Sequence, residues 1–266
     1  FTLHFVPFED TLGLIYLSLM ELSKRRQSGR YYTPQSLTDT AVETLQVSRG
    51  RVFLDPCCGS GNFLLRLLRR GARVEDLYGC DLDGFSVTLA RINFVLSGNC
   101  SDKDTLQDHL LKCDTITCRS LPQVDVVLGN PPWGSCDDEK VVSRYARTLI
   151  CAEKKRPCYA DLFVERSLNL LKDGEILVIF PEGTRNGMEK NGKAQNGVAY
   201  MAIRTGVPVI PVGIQGEMKP FKKVKLNIGE PLDFSQYKTN KPEKEILDKV
   251  SKEIMDNIIM LTNEKK

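Results

Sequence analysis

The sequence predicts an α/β fold: a doubly wound, mostly parallel sheet with helices on both faces. Three observations predict it. Short apolar runs alternate with helical-period segments from about residue 51 to 180, the pattern of strand–helix–strand units. The first run leads straight into a glycine loop, Asp55-Pro56-Cys57-Cys58-Gly59-Ser60-Gly61-Asn62-Phe63. A polar residue also stands at the end of each of the first four strands: Asp55, Asp81, Asp114 and Asn130. Ligands of parallel sheets bind at the carboxyl ends of strands, near the switch in strand order.

The elements follow in order. Residues 11–22 are apolar on a helical period and precede the basic stretch Lys24-Arg25-Arg26. Gly29-Arg30-Tyr31-Tyr32-Thr33-Pro34 reads as a loop, with Thr33 as the cap and Pro34 as the opening residue of a helix running to about Leu45. Strands are expected over 51–54, 77–80, 110–112 and 124–128, and a fifth over 175–180. Helices are expected over 63–70, 86–96 and 162–171. Further on come a helix over 197–204 stopped by Gly206 and a strand over 207–214 whose Pro208 and Pro211 suggest an edge or bulge. A second strand over 224–228 follows, then an amphipathic helix over 242–261 with Ile246, Val250, Ile254 and Ile258 on one stripe.

At 266 residues the chain has room for one large domain or two small ones. Its apolar share of 41% and mean hydropathy of −0.24 suit a water-soluble fold with a sizeable core. No apolar run approaches the ~18 residues of a membrane helix. The start, Phe1-Thr2-Leu3-His4, has neither initiator Met nor leader pattern and reads as the edge of a fragment. Nine cysteines, an odd number at scattered spacing, argue for reduced thiols and a cytoplasmic setting. With only His4 and His109 in the chain, no zinc site is expected.

The net charge of +3 hides a break. Residues 1–171 carry 15 Arg and 6 Lys against 21 acids, whereas residues 172–266 carry 2 Arg and 14 Lys against 13 acids. All cysteines lie between Cys57 and Cys158, and five of the six Met lie after position 187. Either two natural domains differ in composition, or two segments of different coding bias have been fused.

The chemistry resides in two motifs. A glycine turn between strand and helix lets backbone approach a ligand, and Asp81, some twenty residues on, is placed to accept ribose hydroxyls. The glycines are not spaced G-x-G-x-x-G, which speaks against a dinucleotide. The second motif is Asn130-Pro131-Pro132-Trp133. The adenine exocyclic amine is a poor nucleophile because its lone pair is delocalised into the ring. Two acceptors at its hydrogens, the Asn130 side-chain oxygen and the Pro131 carbonyl, localise that pair. The prolines fix the loop, and Trp133 offers a face for an extruded base, worth ~1–3 kcal/mol of stacking.

These residues resemble the S-adenosylmethionine-dependent DNA N6-adenine methyltransferases of restriction–modification systems, over residues 1 to about 175. The resemblance rests on Gly29 to Pro34, Asp55 to Phe63, Cys80-Asp81-Leu82-Asp83, Leu111-Lys112-Cys113-Asp114, Asn130 to Trp133 and Ala160 to Glu165. It implies a Rossmann-like methyltransferase fold with S-adenosylmethionine as cofactor. Tyr31, Thr33, Pro34, Asp55, Gly59 and Gly61 would surround the donor's methionine part. Asp81 would hold the ribose and Asp114 the donor adenine. Asn130, Pro131, Pro132 and Trp133 would act on a target adenine in DNA, with no metal. In that family a target-recognition region follows the catalytic domain; the residues that follow here do not resemble one.

From Gly174 onward the chain instead resembles the C-terminal part of 1-acylglycerol-3-phosphate acyltransferases. The matching residues are Gly174 to Arg185, Lys193, Gly197 and Val207 to Val212. That resemblance implies a phosphate loop of Glu182, Gly183 and Arg185, with lysophosphatidate and an acyl donor as partners. The family's H-x-x-x-x-D spacing recurs only as His109 and Asp114, where the methyltransferase pattern places its third strand. Two segments are therefore expected, 1–173 and 174–266, the second supplying the last strands and final helix of the same sheet. Three functional readings stand open: adenine methylation, acyl transfer, and a non-catalytic chimera.

Overall fold

The computed structural model describes residues 6–19, 33–98, 102–132, 134–149, 151–153, 156–177, 197–215, 225–239 and 242–263. The chain divides into two compact units, Phe1–Ile179 and Phe180–Lys266.

In the first unit β1 (Phe53–Asp55), β2 (Leu77–Asp81), β3 (Leu110–Lys112), β4 (Val124–Val127) and β5 (Leu171–Leu177) form a sheet in the order β3-β2-β1-β4-β5. Every neighbouring pair is parallel. The chain starts in the middle, winds outward to β3, then crosses back to β4. The strand order therefore reverses between β1 and β4, and a crevice opens at their carboxyl ends. Helices α1 (Thr11–Leu19), α2 (Gln35–Glu43), α3 (Asn62–Arg69), α4 (Gly84–Leu96), α5 (Lys103–His109), α6 (Glu139–Tyr145) and α7 (Tyr159–Leu170) accompany the sheet.

The central strands carry apolar runs because both of their faces are covered. All three residues of β1 and all four of β4 are buried. Asp125 breaks the run in β4 without penalty, since its Oδ2 accepts the Val52 N–H at 2.6 Å. Aspartates open three helices by capping backbone N–H groups: Asp83 accepts from Ser86, Asp102 from Thr105, and Asp138 from Lys140 and Val141. Buried Arg66 of α3 places its Nε 3.1 Å from Asp39 of α2, tying the two helices together. Phe53 is fully buried in β1. Phe53→Ala should cost ~3–5 kcal/mol of stability, read as a lowered urea midpoint; an unchanged midpoint would show that β1 does not anchor the core.

Two local expectations are corrected. Thr33 does not cap α2. Pro34 occupies the cap position with extended backbone (ψ 141) and no side-chain cap bond, and the helix begins at Gln35. The Thr33 hydroxyl has a distant partner, described below. The first helix is described only to Leu19.

The second unit holds α8 (Gly197–Thr205), β6 (Val212–Gln215), β7 (Lys225–Ile228) and α9 (Lys244–Asn263). α8 stops at Gly206, whose N–H returns to the Ala202 carbonyl at 2.9 Å. Ala199, Ala202, Ile203, Phe234, Val250, Ile254, Met255 and Ile258 form its core, so the stripe of α9 covers apolar surface as its period predicts. The expected strand over 207–214 shortens to β6, with Val209 making only an isolated bridge to Leu232. Pro208 and Pro211 lack the N–H groups a longer ladder needs. Nor do these strands complete the parallel sheet: β6 pairs antiparallel with β7, and the two form a sheet of their own. The parallel sheet ends at β5, which begins before residue 174.

Candidate active site

The crevice at the switch point is a cleft of about 300 Å³ within the first unit. The β1 loop lines it with Asp55 through Ser60, the β2 end with Asp81 to Asp83, the β3 end with Cys113 to Thr115, and the β4 end with Asn130 and Pro132. The four strand-end residues expected from the sequence therefore meet in one place.

The glycine loop turns at Gly59 and Gly61, both at positive φ (+53 and +91), and Gly61 opens α3 in a left-handed conformation. Gly59 borders the cleft, and a Cβ there would touch no protein atom within 4 Å. Its N–H donates to Asp81 Oδ2 at 2.9 Å, while Asp83 N–H donates to Asp81 Oδ1 at 2.8 Å. The Asp81 carboxylate is thereby fixed at the β2 end and aligned with the loop.

Asp55 is buried at the β1 end. Burial, reinforced by the nearby Asp81 charge, pushes its carboxyl up to about 8 against the opposing bond from Cys57 N–H. At neutral pH Asp55 is mostly protonated. The sign of the stability effect follows. Between pH ~4 and ~8 the folded chain holds a proton that the unfolded chain has lost, so stability falls as pH rises through that window. Asp55→Asn, which cannot ionise, should flatten the profile. Thermal melts at pH 5.5 and pH 8 test this; equal slopes in wild type and variant would refute it.

The Asn130 loop is tied to the glycine loop. Burial pushes the Cys57 thiol well above its ordinary pKa, so it stays protonated and donates to the Asn130 carbonyl at 3.2 Å. The Thr115 hydroxyl donates to the Pro56 carbonyl at 2.6 Å. Thr33 supplies a second tie: its hydroxyl accepts from Asn130 Nδ2 at 3.2 Å, and its carbonyl accepts from Asn62 Nδ2 at 3.0 Å. One threonine thus joins the start of α3 to the Asn130 side chain. Asp114 sits at the β3 end, but its carboxylate is paired with Arg144 at 2.8 Å and accepts the Ile116 N–H at 3.2 Å. Pro34 flanks Thr33, and Pro131 lies between the two cleft residues Asn130 and Pro132.

Tyr31, Trp133 and the loop of Glu182, Gly183 and Arg185 lie outside the described residues. His109 is placed unfavourably for the acyltransferase base. It closes α5 before β3 begins, its Nδ1 lies 3.0 Å from the Leu77 carbonyl, and its ring packs on Tyr78. Asp114 lies beyond the other end of that strand. The H-x-x-x-x-D spacing is a coincidence of β3.

Sequence reasoning missed the contribution of α1, whose Gly13 and Tyr16 border the cleft together with Asp10. A glycine inside an apolar helix costs ~1 kcal/mol against alanine and so signals a packing reason. Asn62 was also missed; it follows the glycine turn directly, where helix-opening side chains face the loop.

Comparison with known proteins decides the family. The N-6 DNA Methylase family profile matches residues 8–198, well over half of the chain. This chain belongs to the N-6 DNA Methylase family. The Type I restriction enzyme EcoEI methylase subunit of Escherichia coli is 24% identical over 235 residues, covering 81% of this chain and 45% of that protein. The Type II methyltransferase M.VspI of Vibrio sp. (strain 343) is 28% identical over 148 residues, covering 55% of this chain and 35% of that protein. The chain thus spans less than half the length of these curated relatives.

Among solved structures, a Listeria monocytogenes protein assigned as a class I S-adenosylmethionine-dependent methyltransferase aligns over 94% of this chain and 75% of its own. Its TM-score is 0.54 at 19% identity. The methyltransferase subunit of a Streptococcus thermophilus type I restriction–modification system aligns over 92% of this chain and 57% of its own, with a TM-score of 0.51 at 18% identity. The fold is that of S-adenosylmethionine-dependent methyltransferases. The family match also runs past residue 174, and these relatives lend the acyltransferase reading no support.

The cleft suits that methyl donor. Asp81 and Asp83 line it and no basic side chain does, so it favours a cationic ligand over a pyrophosphate. Asp81 lines the cleft beside the glycine loop, where a Cβ at Gly59 would meet no protein atom. No helix among the described residues is long and apolar enough to cross a membrane.

Proposed function

We propose that the chain transfers a methyl group from S-adenosylmethionine to the exocyclic N6 amine of adenine in DNA, as part of a restriction–modification system of the cytoplasm. One observation carries the reading: the Asn130 loop and the glycine loop meet at one cleft and are bonded to each other through Cys57 and Thr33. On this reading a donor site and an amine-holding site are built as a unit.

The donor, when bound, supplies an electrophilic methyl group on a sulfonium. The chain's own residues do the rest. Asp81 holds the ribose through charge-assisted hydrogen bonds. Thr33, Pro34, Asp55, Gly59 and Gly61 surround the methionine part, and Asp114, steadied by Arg144, borders the adenine end. The Asn130 side-chain oxygen and the Pro131 carbonyl accept the two N–H groups of the target amine and localise its lone pair. Pro131 and Pro132 keep that loop from yielding when the base arrives, and Trp133 stacks on the extruded base. Holding amine and methyl group in line removes much of the entropic barrier. The Glu182, Gly183 and Arg185 loop has no part in this reading.

The test is direct. The chain is incubated with isotope-labelled donor and a pool of unmethylated random-sequence duplexes and single strands, and digested nucleosides are read by mass spectrometry. Labelled N6-methyladenine is expected. Donor bound but label absent from every adenine, with label on another base or on protein, would overturn the reading.

A further inference from the structure

The glycine loop is also gripped from a direction that neither motif explains. Asp10 is 2% exposed and stands at the cap position before α1. Its Oδ1 accepts the Gly13 N–H at 2.9 Å and the Asn93 amide of α4 at 2.9 Å. Its Oδ2 accepts the hydroxyl of Ser60, the middle residue of the glycine turn. Asn93 also donates to the Ser60 carbonyl at 3.1 Å. Ser60 is therefore held at both its hydroxyl and its carbonyl.

The approach of α1 is as close as backbone permits. A Cβ on Gly13 would lie 2.1 Å from Ser60 Oγ, well inside contact distance. About one turn on, Tyr16 packs against Phe85 of α4 with ring centroids 4.8 Å apart. Two carboxylates from separate elements thus hold adjacent residues of one loop, Asp81 on Gly59 and Asp10 on Ser60.

We propose that Asp10 is a positioning residue for the methyl donor: through Ser60 it sets the glycine loop, and so couples the docking of α1 to occupancy of the donor site. The inference rests on the donor reading given above. Coupling of this kind is reciprocal. If docked α1 tightens the donor's hold, bound donor tightens the docking of α1 by the same factor.

The experiment is a calorimetric titration with S-adenosylhomocysteine on wild type, Asp10→Ala, Asp10→Asn and Ser60→Ala. It is paired with hydrogen exchange over residues 11–19, with and without that ligand. Asp10→Ala should weaken binding ~10-fold or more. Asp10→Asn should stay within ~3-fold of wild type, because its oxygen still serves Gly13 and Asn93 while its amide can donate to the Ser60 hydroxyl oxygen. Ser60→Ala should weaken binding ~5-fold. Ligand should slow exchange in α1 of the wild type and not of Asp10→Ala. Should Asp10→Ala fail to fold by circular dichroism, Ser60→Ala decides, since it leaves the cap to Gly13 intact. Wild-type affinity in the variants, or exchange in α1 indifferent to ligand, overturns the inference and leaves the donor reading standing. A folded wild type that does not bind overturns both.

Discussion

Asn130→Ala should reduce methyl transfer to adenine at least ~100-fold while leaving S-adenosylhomocysteine affinity within a few-fold of wild type. The asymmetry follows from where Asn130 acts. On the proposed reading its side-chain oxygen meets the target amine at the moment charge develops there, and removing one preorganised group of that kind typically costs ~10²–10³ in rate. On that reading the donor's contacts come from the β1, β2 and β3 ends and from Thr33 and Pro34, and the substitution removes none of these residues. The Cys57 bond to Asn130 uses the backbone carbonyl, so alanine keeps the loop tethered. The Thr33 hydroxyl loses its partner, which adds a modest structural cost. Labelled-nucleoside assays and calorimetry on the same preparation separate the two quantities. If donor affinity falls in step with the rate, Asn130 supports the donor pocket and is not the amine's acceptor.

Asp81→Ala should do the reverse and abolish donor binding, with the dissociation constant rising ~100-fold or more. A carboxylate that accepts two hydroxyl groups contributes charge-assisted hydrogen bonds of ~1.5–3 kcal/mol each, and each ~1.4 kcal/mol is tenfold in affinity. The variant also releases the Gly59 and Asp83 N–H groups, so the glycine turn loses a clamp. A second effect follows from charge. Burial chiefly holds Asp55 protonated and the Asp81 charge adds to it, so removing Asp81 should lower the Asp55 carboxyl while burial still keeps it raised. Carboxyl titration by NMR would show that shift, and donor binding unaffected by the substitution would remove Asp81 from the ribose.

The sheet was legible because its strands are buried on both faces. Runs such as Val124 to Leu128 admit little else once flanked by turns, and β1 to β4 fall within a residue or two of expectation. The strand-end residues were legible for a related reason, since a polar group closing an apolar run must find partners beyond the sheet. What escaped were contacts between residues distant in the chain. Thr33 looks like a local cap, yet its hydroxyl serves Asn130, 97 residues later. Asp10 drew no notice in the sequence, yet it serves Ser60 and Asn93, 50 and 83 residues away. Local rules see the residue's capacity and not its choice of partner. The second unit failed for a topological reason. Apolar period alone does not say whether a strand joins an existing sheet or pairs with its neighbour in the chain, and β6 chose β7.

The reversal of strand order between β1 and β4 divides the first unit into two ends with different obligations. The strands bring their carboxyl ends to the cleft, while the turns leading into β2 and β4, around Gly71 and Gln123, lie at the opposite ends of those strands, and both residues are exposed. The far end is thus open country for evolution and for the engineer: a loop lengthened there, or a reporter peptide spliced in after Gly71, stays the whole length of a strand away from the chemistry. Diversification of this unit can proceed from behind, with its cleft left untouched.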